Sequence, residues 1–242
     1  MVNAQLSPVK VGSYHKDDFK TTQSKDKISR NILKGTSPHL EFVSIHSSTM
    51  MPGAEPSTAH ANEDMEECIF VMEGTMKVTI EGKSQILGPE SVILLMPQQM
   101  HHLENIGKGN LTYYVMKYKS KSPMDIARGQ AAGGSLMLNT DSLTYKKSSV
   151  GGGRGYFDRP TAMCERFELH VTKLDKKGQS HAPHDHRESE ILLVISGETE
   201  MKIDGKMYEG KVGDFYFIPS GLFHGVSNAS DKPCSYFLFR WM

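Results

Sequence analysis

The chain has 242 residues, with 28 Lys plus Arg against 28 Asp plus Glu and 38% hydrophobic residues. That length allows one large domain or two of ordinary size, and the zero net charge excludes the basic field of a nucleic-acid or anionic-membrane binder. No apolar run approaches a membrane span, and 22 glycines between short β-rich runs point to an all-β chain. Residues 1–30 read as a polar N-terminal arm. Its start, Val2-Asn3-Ala4, looks like the small-x-small end of a secretory signal. A cytoplasmic protein is expected from the chain as it stands, and a periplasmic or secreted one if those residues are such a remnant. Residues 31–119 form a first predicted domain, with strands in "EECIFVMEG" and "MKVTIEGK" and a hairpin signal at "EGK". Residues 120–159 read as a linker: "SPMDIARGQAAGG" holds a short helix, and "SSVGGGRGYFDRP" is a flexible connection or a covering loop. A phosphate cradle at Gly151–Gly155 is disfavoured, because no Lys-Ser/Thr or helix pattern follows it. Residues 160–242 form a second domain, with "SEILLVISG" and "EMKIDGK" as its first strands. Cys68, Cys164 and Cys234 lie in strand-like runs without a CxxC spacing, so they read as small buried hydrophobes.

The second domain repeats the first. Gly74, Ile80, Gly82 and Lys83 match Gly197, Ile203, Gly205 and Lys206 at a constant offset of 123. The same offset takes Glu67 to Glu190, His101 to His224 and Asn105 to Asn228. A repeat of this length means two copies of one domain, not a solenoid of short units.

In "GQSHAPHDHRESEILLVISG", His184, His186 and Glu190 stand at even spacings in front of an apolar strand. Residues two apart on an extended segment share a face, so all three can point the same way. His224, in "GDFYFIPSGLFHGVSN", follows a Pro-Ser-Gly turn and can close the cluster from a neighbouring strand. Three imidazoles and one carboxylate suit one divalent transition metal (manganese, iron, nickel or zinc), whereas calcium and magnesium prefer oxygen.

These two segments resemble both motifs of the cupin family. The first fits glycine, five residues, HxH, three residues, Glu, six residues, glycine; Gly213 to Asn228 fits the second without a gap. With the duplication, the chain resembles a bicupin over nearly its whole length. The resemblance implies an all-β fold of two tandem cupin jelly-roll barrels. It also implies a metal held in the second barrel by His184, His186, Glu190 and His224, with coordination positions open to substrate or water. The first copy departs from the pattern. It supplies His60, Asn62 and Glu67, with asparagine where the second histidine belongs, and its second half is one residue short. His101 keeps the spacing to Asn105 and His102 the spacing from Pro97; His101 is preferred as the ligand of a possible second or vestigial site.

For the substrate, Arg166 and His181 are the expected polar contacts, with Tyr216 or Phe223 near the mouth and Tyr156–Arg159 as a lid. His181 is at odd spacing from His184 and so falls on the rim, and Glu188 reads as solvated. Cupins with this ligand set span many reactions, so the fold does not choose one. The expectation is a metal-dependent enzyme acting on a small oxygen-rich metabolite, preferably a sugar, uronate or organic acid, by isomerase-like or hydrolytic Lewis-acid chemistry. Iron-dependent dioxygenation and metabolite binding without turnover are the alternatives. Edge strands left by open jelly rolls lead to the expectation of a homodimer, with a small molecule and neither nucleic acid nor membrane as partner.

Overall fold

The structure, a computed structural model, describes residues 6–242; Val2-Asn3-Ala4 lies outside the described residues. The first half runs β1 (Gly12–Tyr14), β2 (Thr21–Gln23), β3 (Lys27–Gly35), β4 (Leu40–Met50), β5 (Glu66–Glu73), β6 (Met76–Ile80) and β7 (Lys83–Leu87). It continues with β8 (Val92–Leu95), β9 (His101–Asn105), β10 (Leu111–Ser120), α1 (Ile126–Ala131) and β11 (Leu136–Leu138). The second half runs β12 (Lys146–Lys147), β13 (Gly151–Arg159), β14 (Phe167–Leu174), β15 (Gly178–Gln179), β16 (Ser189–Ser196) and β17 (Glu198–Ile203). It ends with β18 (Lys206–Lys211), β19 (Phe215–Ile218), β20 (His224–Asn228) and β21 (Cys234–Trp241). No helix among the described residues is long and apolar enough to cross a membrane.

Each barrel closes a seven-stranded sheet over a smaller one. In the first, the order β11-β8-β5-β10-β4-β3-β2 faces β7-β6-β9; in the second, β1-β19-β16-β21-β14-β13-β12 faces β15-β20-β17-β18. The two large sheets share one central core. Along β16, Leu192 and Val194 point into the second barrel with Met201 and Val226. Ile191 and Leu193 point out of it, into the cluster between the barrels with Phe70, Phe167 and Trp241. Such a strand is buried on both faces, which is why it reads as an unbroken apolar run. In β5, Ile69 and Val71 face the first barrel's interior while Cys68 and Phe70 face the centre. Phe70 packs across the junction on Phe239, with ring centroids 4.8 Å apart, and Tyr118 meets Phe167 edge-on at 5.3 Å. The alternation sets Glu67 and Glu190 on the interior faces, ahead of Ile69 and Leu192. All three cysteines are buried and free.

Two segments differ from the sequence-based expectation. The N-terminal arm is not simply solvated: β1 pairs with β19, Gly12 opposite Phe217, as an edge strand of the second barrel. Asp214, 1% exposed, holds it there through His15 Nδ1 at 3.0 Å and the Lys16 amide at 2.9 Å. β11 takes the corresponding edge of the first barrel by pairing with β8. Each barrel thus receives its edge strand from outside its own repeat. The glycine-rich stretch is the second difference, because it is the strand β13, paired with β14. A Cβ on Gly151 or Gly153 would come within 2.1 or 2.2 Å of the carbonyl oxygens of Lys173 or Val171. Glycine is needed there for close approach of two backbones, not for a loop. Tyr156 is buried, with its hydroxyl donating to the Glu90 carbonyl and meeting Thr140 Oγ1 at 3.0 Å, and Arg159 donates to the carbonyls of Ala132 and Gly134. Tyr156–Arg159 is therefore a fixed part of the sheet and not a lid.

Candidate metal centre

Two strand positions, on β16 and β20, and the loop between β15 and β16 build the site in the second barrel. His184 and His224 form an antiparallel bridge, each amide donating to the other's carbonyl at 2.9 and 2.8 Å. Gly225 lets the loop come this close, since a Cβ there would meet Pro183 at 3.0 Å. The His186 carbonyl accepts from the Gly221 amide at 2.8 Å, fixing the other end of the loop against the Pro-Ser-Gly turn. Glu190 projects from β16, opposite Ile218 on one side and Arg240 on the other.

One ring nitrogen from each of His184, His186 and His224 falls in a group whose members all lie within 4.8 Å of one another. Glu190 closes the set: its Oε2 is 3.2 Å from His186 Nε2 and its Oε1 is 3.4 Å from His224 Nε2. His186 Nδ1 and His224 Nδ1 face the carbonyls of Glu188 and Leu222 at 3.0 and 2.8 Å. Those contacts favour a proton on Nδ1 and turn Nε2 towards the cluster, the arrangement that metal-ligating histidines use. His184 Nδ1 and His224 Nε2 are buried and have no hydrogen-bond partner among the described residues. A buried ring nitrogen is expensive to leave unpaired, and for His224 Nε2 a cation shared with Glu190 would supply the partner. Burial alone would raise the Glu190 carboxyl, but the His186 and His224 imidazoles beside it outweigh that and hold it at about 2. Burial lowers His184, helped by the neighbouring His224. The carboxylate is thus charged and the cluster holds an imidazole biased to the neutral form, as metal ligation requires. The donor set fits a divalent transition metal.

A cavity of about 230 Å³ opens over these residues, lined by His170, His181, Met201, Val226, Leu238 and Arg240 besides His184, Glu190 and His224. Of the four expected substrate contacts, only His181 lies there. Its ring stands 4.7 Å from that of His184, because the loop between β15 and the metal-ligand positions is not regular strand and odd spacing does not turn it away. Tyr216 is fully buried and its hydroxyl bonds to Thr199, so it is core and not mouth. Phe223 is 54% exposed and does not line the cavity. Arg166 lies outside it too, doubly bonded to Asp158 at 2.8 Å and also paired with Glu168 and Glu188. Glu188 is accordingly nearly buried rather than solvated. Arg166→Ala is expected to leave metal content unchanged while lowering stability by about 1–2 kcal/mol, measured by urea denaturation; the loss is modest because Asp158 is exposed and Glu168 keeps Arg240 as a partner.

The residues that sequence reasoning missed are His170 and Arg240. His170 shares the parity of Arg166 and Glu168 along "CERFELH", and that alternation is the signal that could have found it. Glu168 Oε1 lies 3.0 Å from His170 Nδ1, and its Oε2 accepts from Arg240 Nε at 2.7 Å. The bond to His170, followed by that to Arg240, holds the Glu168 carboxyl at about 2, against 4.5 ordinarily. A depressed carboxyl stabilises the fold fully above its unfolded value, and the contribution disappears as pH falls through its folded value. Stability is therefore expected to drop on the order of 2–3 kcal/mol between pH 4.5 and 2. Denaturation curves of Glu168→Gln should lack that part of the loss.

In the first barrel, His60 and His101 face each other with ring centroids 4.4 Å apart, and His101 Nε2 is 3.7 Å from Glu67 Oε2. Asn62 donates to Glu67 at 2.8 Å. His101 is turned inward at 2% exposed, whereas His102, the next residue along β9, is only partly buried.

A family model described as "Cupin domain" matches residues 46–117 and again 170–240. No curated protein matches the chain in sequence. Among solved structures, protein Ylba from E. coli is similar at a TM-score of 0.75 and 14% identity, over 100% of this chain and 95% of that one. Oxalate decarboxylase from Lactobacillus farciminis, in a formate complex, aligns at 0.74 and 12% identity, over 96% and 86%. AerE from Microcystis aeruginosa aligns at 0.72 and 13% identity, over 96% and 99%. The superpositions show a shared fold, and at these identities the fold alone.

Proposed function

Since this chain belongs to the cupin family, through two tandem domains, we propose that its second barrel is a divalent-metal centre acting on a small organic acid or sugar acid. The observation that carries the reading is the cavity itself. It joins the His184, Glu190 and His224 cluster to a cationic wall at Arg240. Its volume of about 230 Å³ lies under the ~300–1,000 Å³ usual for drug-sized ligands, which favours a compact metabolite over a chain end.

His184, His186, Glu190 and His224 would hold the metal. When bound, it supplies Lewis acidity towards a carbonyl, carboxylate or pair of hydroxyls, or lowers the pKa of a water. The rest falls to the chain's own residues. Met201, Val226 and Leu238 form the apolar part of the wall and exclude water, which strengthens every charge interaction inside. Arg240 offers a guanidinium to a substrate carboxylate, and Glu168 fixes its direction. His170 is held at Nδ1 by Glu168, leaving Nε2 as the atom that accepts or delivers a proton. The oxalate decarboxylase named among the structural neighbours acts on a small acid, in keeping with this preference.

The test is a panel of small organic acids, uronates and matched neutral sugars, incubated with Mn(II)- or Fe(II)-loaded protein and followed by NMR and oxygen consumption. Turnover of an acid, with KM raised roughly tenfold or more in Arg240→Ala, supports the reading. Oxygen uptake would assign dioxygenation instead. Preference for neutral sugars, or binding of acids without turnover, would overturn it.

A further inference from the structure

The first barrel keeps three donor positions of the second, yet presents them to a cation of its own. Lys117 leaves β10 opposite Glu67. Its ammonium lies 3.1 Å from Glu67 Oε2 and 3.1 Å from Asn62 Oδ1. Asn62 turns its amide nitrogen to the same carboxylate oxygen at 2.8 Å. Glu67 is 4% exposed, so this ammonium and this amide are its main compensation. A divalent ion here would need Glu67 and the Asn62 oxygen as ligands, and both already accept from Lys117. It would also stand beside a fixed positive charge. The donor set therefore does not fit the metal that the family resemblance implies.

The second barrel shows why the two sites diverge. Arg240 occupies the position on β21 opposite Glu190, at the same offset of 123 from Lys117. It does not enter the ligand cluster, because Glu168, its partner across to β14, takes Nε and the terminal nitrogen at 2.7 and 2.6 Å. In the first barrel the residue that pairs with Lys117 across to β4 is Ser44, which has neither the reach nor the charge to hold a lysine. Exchange of Glu-Arg for Ser-Lys frees the cation of the last strand to turn into the ligand cluster.

We propose that the Lys117 ammonium is the resident cation of the first barrel, occupying the place a divalent metal would take, so that this barrel stays closed to metal. Removal of its charge, with restoration of the missing imidazole at position 62, then opens a latent metal site. The proposal stands whether or not the second barrel loads.

The experiment uses the full chain carrying His184→Ala and His224→Ala, so that any bound metal belongs to the first barrel. Four versions are stripped with chelator, dialysed against Mn(II) and analysed for metal: no further change, Asn62→His, Lys117→Ser, and Asn62→His with Lys117→Ser. The first two are expected to hold no metal, the fourth one Mn(II) per chain, and the third a weaker fraction. Melting temperatures should rise with added Mn(II) only in the versions lacking Lys117. Should Lys117→Ser fail to fold, Lys117→Gln keeps a polar side chain against Asn62 and Glu67 while removing the charge, and it is expected to load in the same way. Metal in either version that retains Lys117, or none in a folded Asn62→His version without it, would overturn the proposal.

Discussion

Glu190→Ala is expected to weaken metal binding by about 10²–10⁴-fold, the equivalent of losing a buried charge partner worth roughly 3–5 kcal/mol. Glu190 is 2% exposed and, among the described residues, is the one carboxylate in reach of both His186 and His224. Without it the ion would sit in an apolar barrel on neutral donors alone, its charge uncompensated. The fold should survive, because Leu192 and Val194 on the same face of β16 still fill the interior. Isothermal titration with Mn(II) of the apoprotein and the variant measures the change directly. Affinity within a factor of a few of the wild type would remove Glu190 from the ligand set.

Glu66→Ala is expected to cost about 2–4 kcal/mol of stability without changing metal affinity. Glu66 is one residue from Glu67 and so faces the opposite way, into the junction between barrels, where it is fully buried. It accepts from Thr161 Oγ1 at 2.6 Å, from the Ala162 amide at 2.8 Å and from the Met163 amide at 3.4 Å. Arg128 takes the carbonyls of Thr161 and Ala162 at 2.8 and 3.2 Å, so the turn entering the second barrel is held from both sides. Alanine leaves the donors of that turn buried and unpaired, together with a cavity. The equivalent position in the second barrel is Ser189, which takes no part in a clamp of this kind and only accepts from the Ser220 amide at 3.3 Å. Urea denaturation, followed by tyrosine and tryptophan fluorescence, measures the loss. A change under about 1 kcal/mol would mean that water replaces the carboxylate.

Both motifs of the second barrel were legible in the sequence because each is a short local spacing, one along the extended loop that leads into β16 and one across a tight turn. His184, His186, Glu190 and His224 need only strand parity and the Pro-Ser-Gly turn to be brought together. The duplication was legible for a similar reason: a constant offset survives when side chains change. What escaped was whatever depends on pairing between distant strands. Nothing in Gly12-Ser-Tyr14 says that it crosses to the second barrel, since three residues carry no period. The glycines at 151–153 read as a loop because their purpose, room for the carbonyls of Lys173 and Val171, lies in another strand. Arg166 was expected as a substrate contact, and it is the three carboxylates around it that take it out of the cavity. Lys117 and Arg240 are related by the repeat offset, but their different fates depend on Ser44 and Glu168 across the sheet.

The central claim is that one barrel of the two is built for a metal, and metal analysis of the full chain tests it most directly. Protein stripped with chelator and reloaded with Mn(II) is predicted to hold one ion per chain, lost in His224→Ala and retained in His101→Ala. Two ions per chain, or equal loss from both variants, would contradict it.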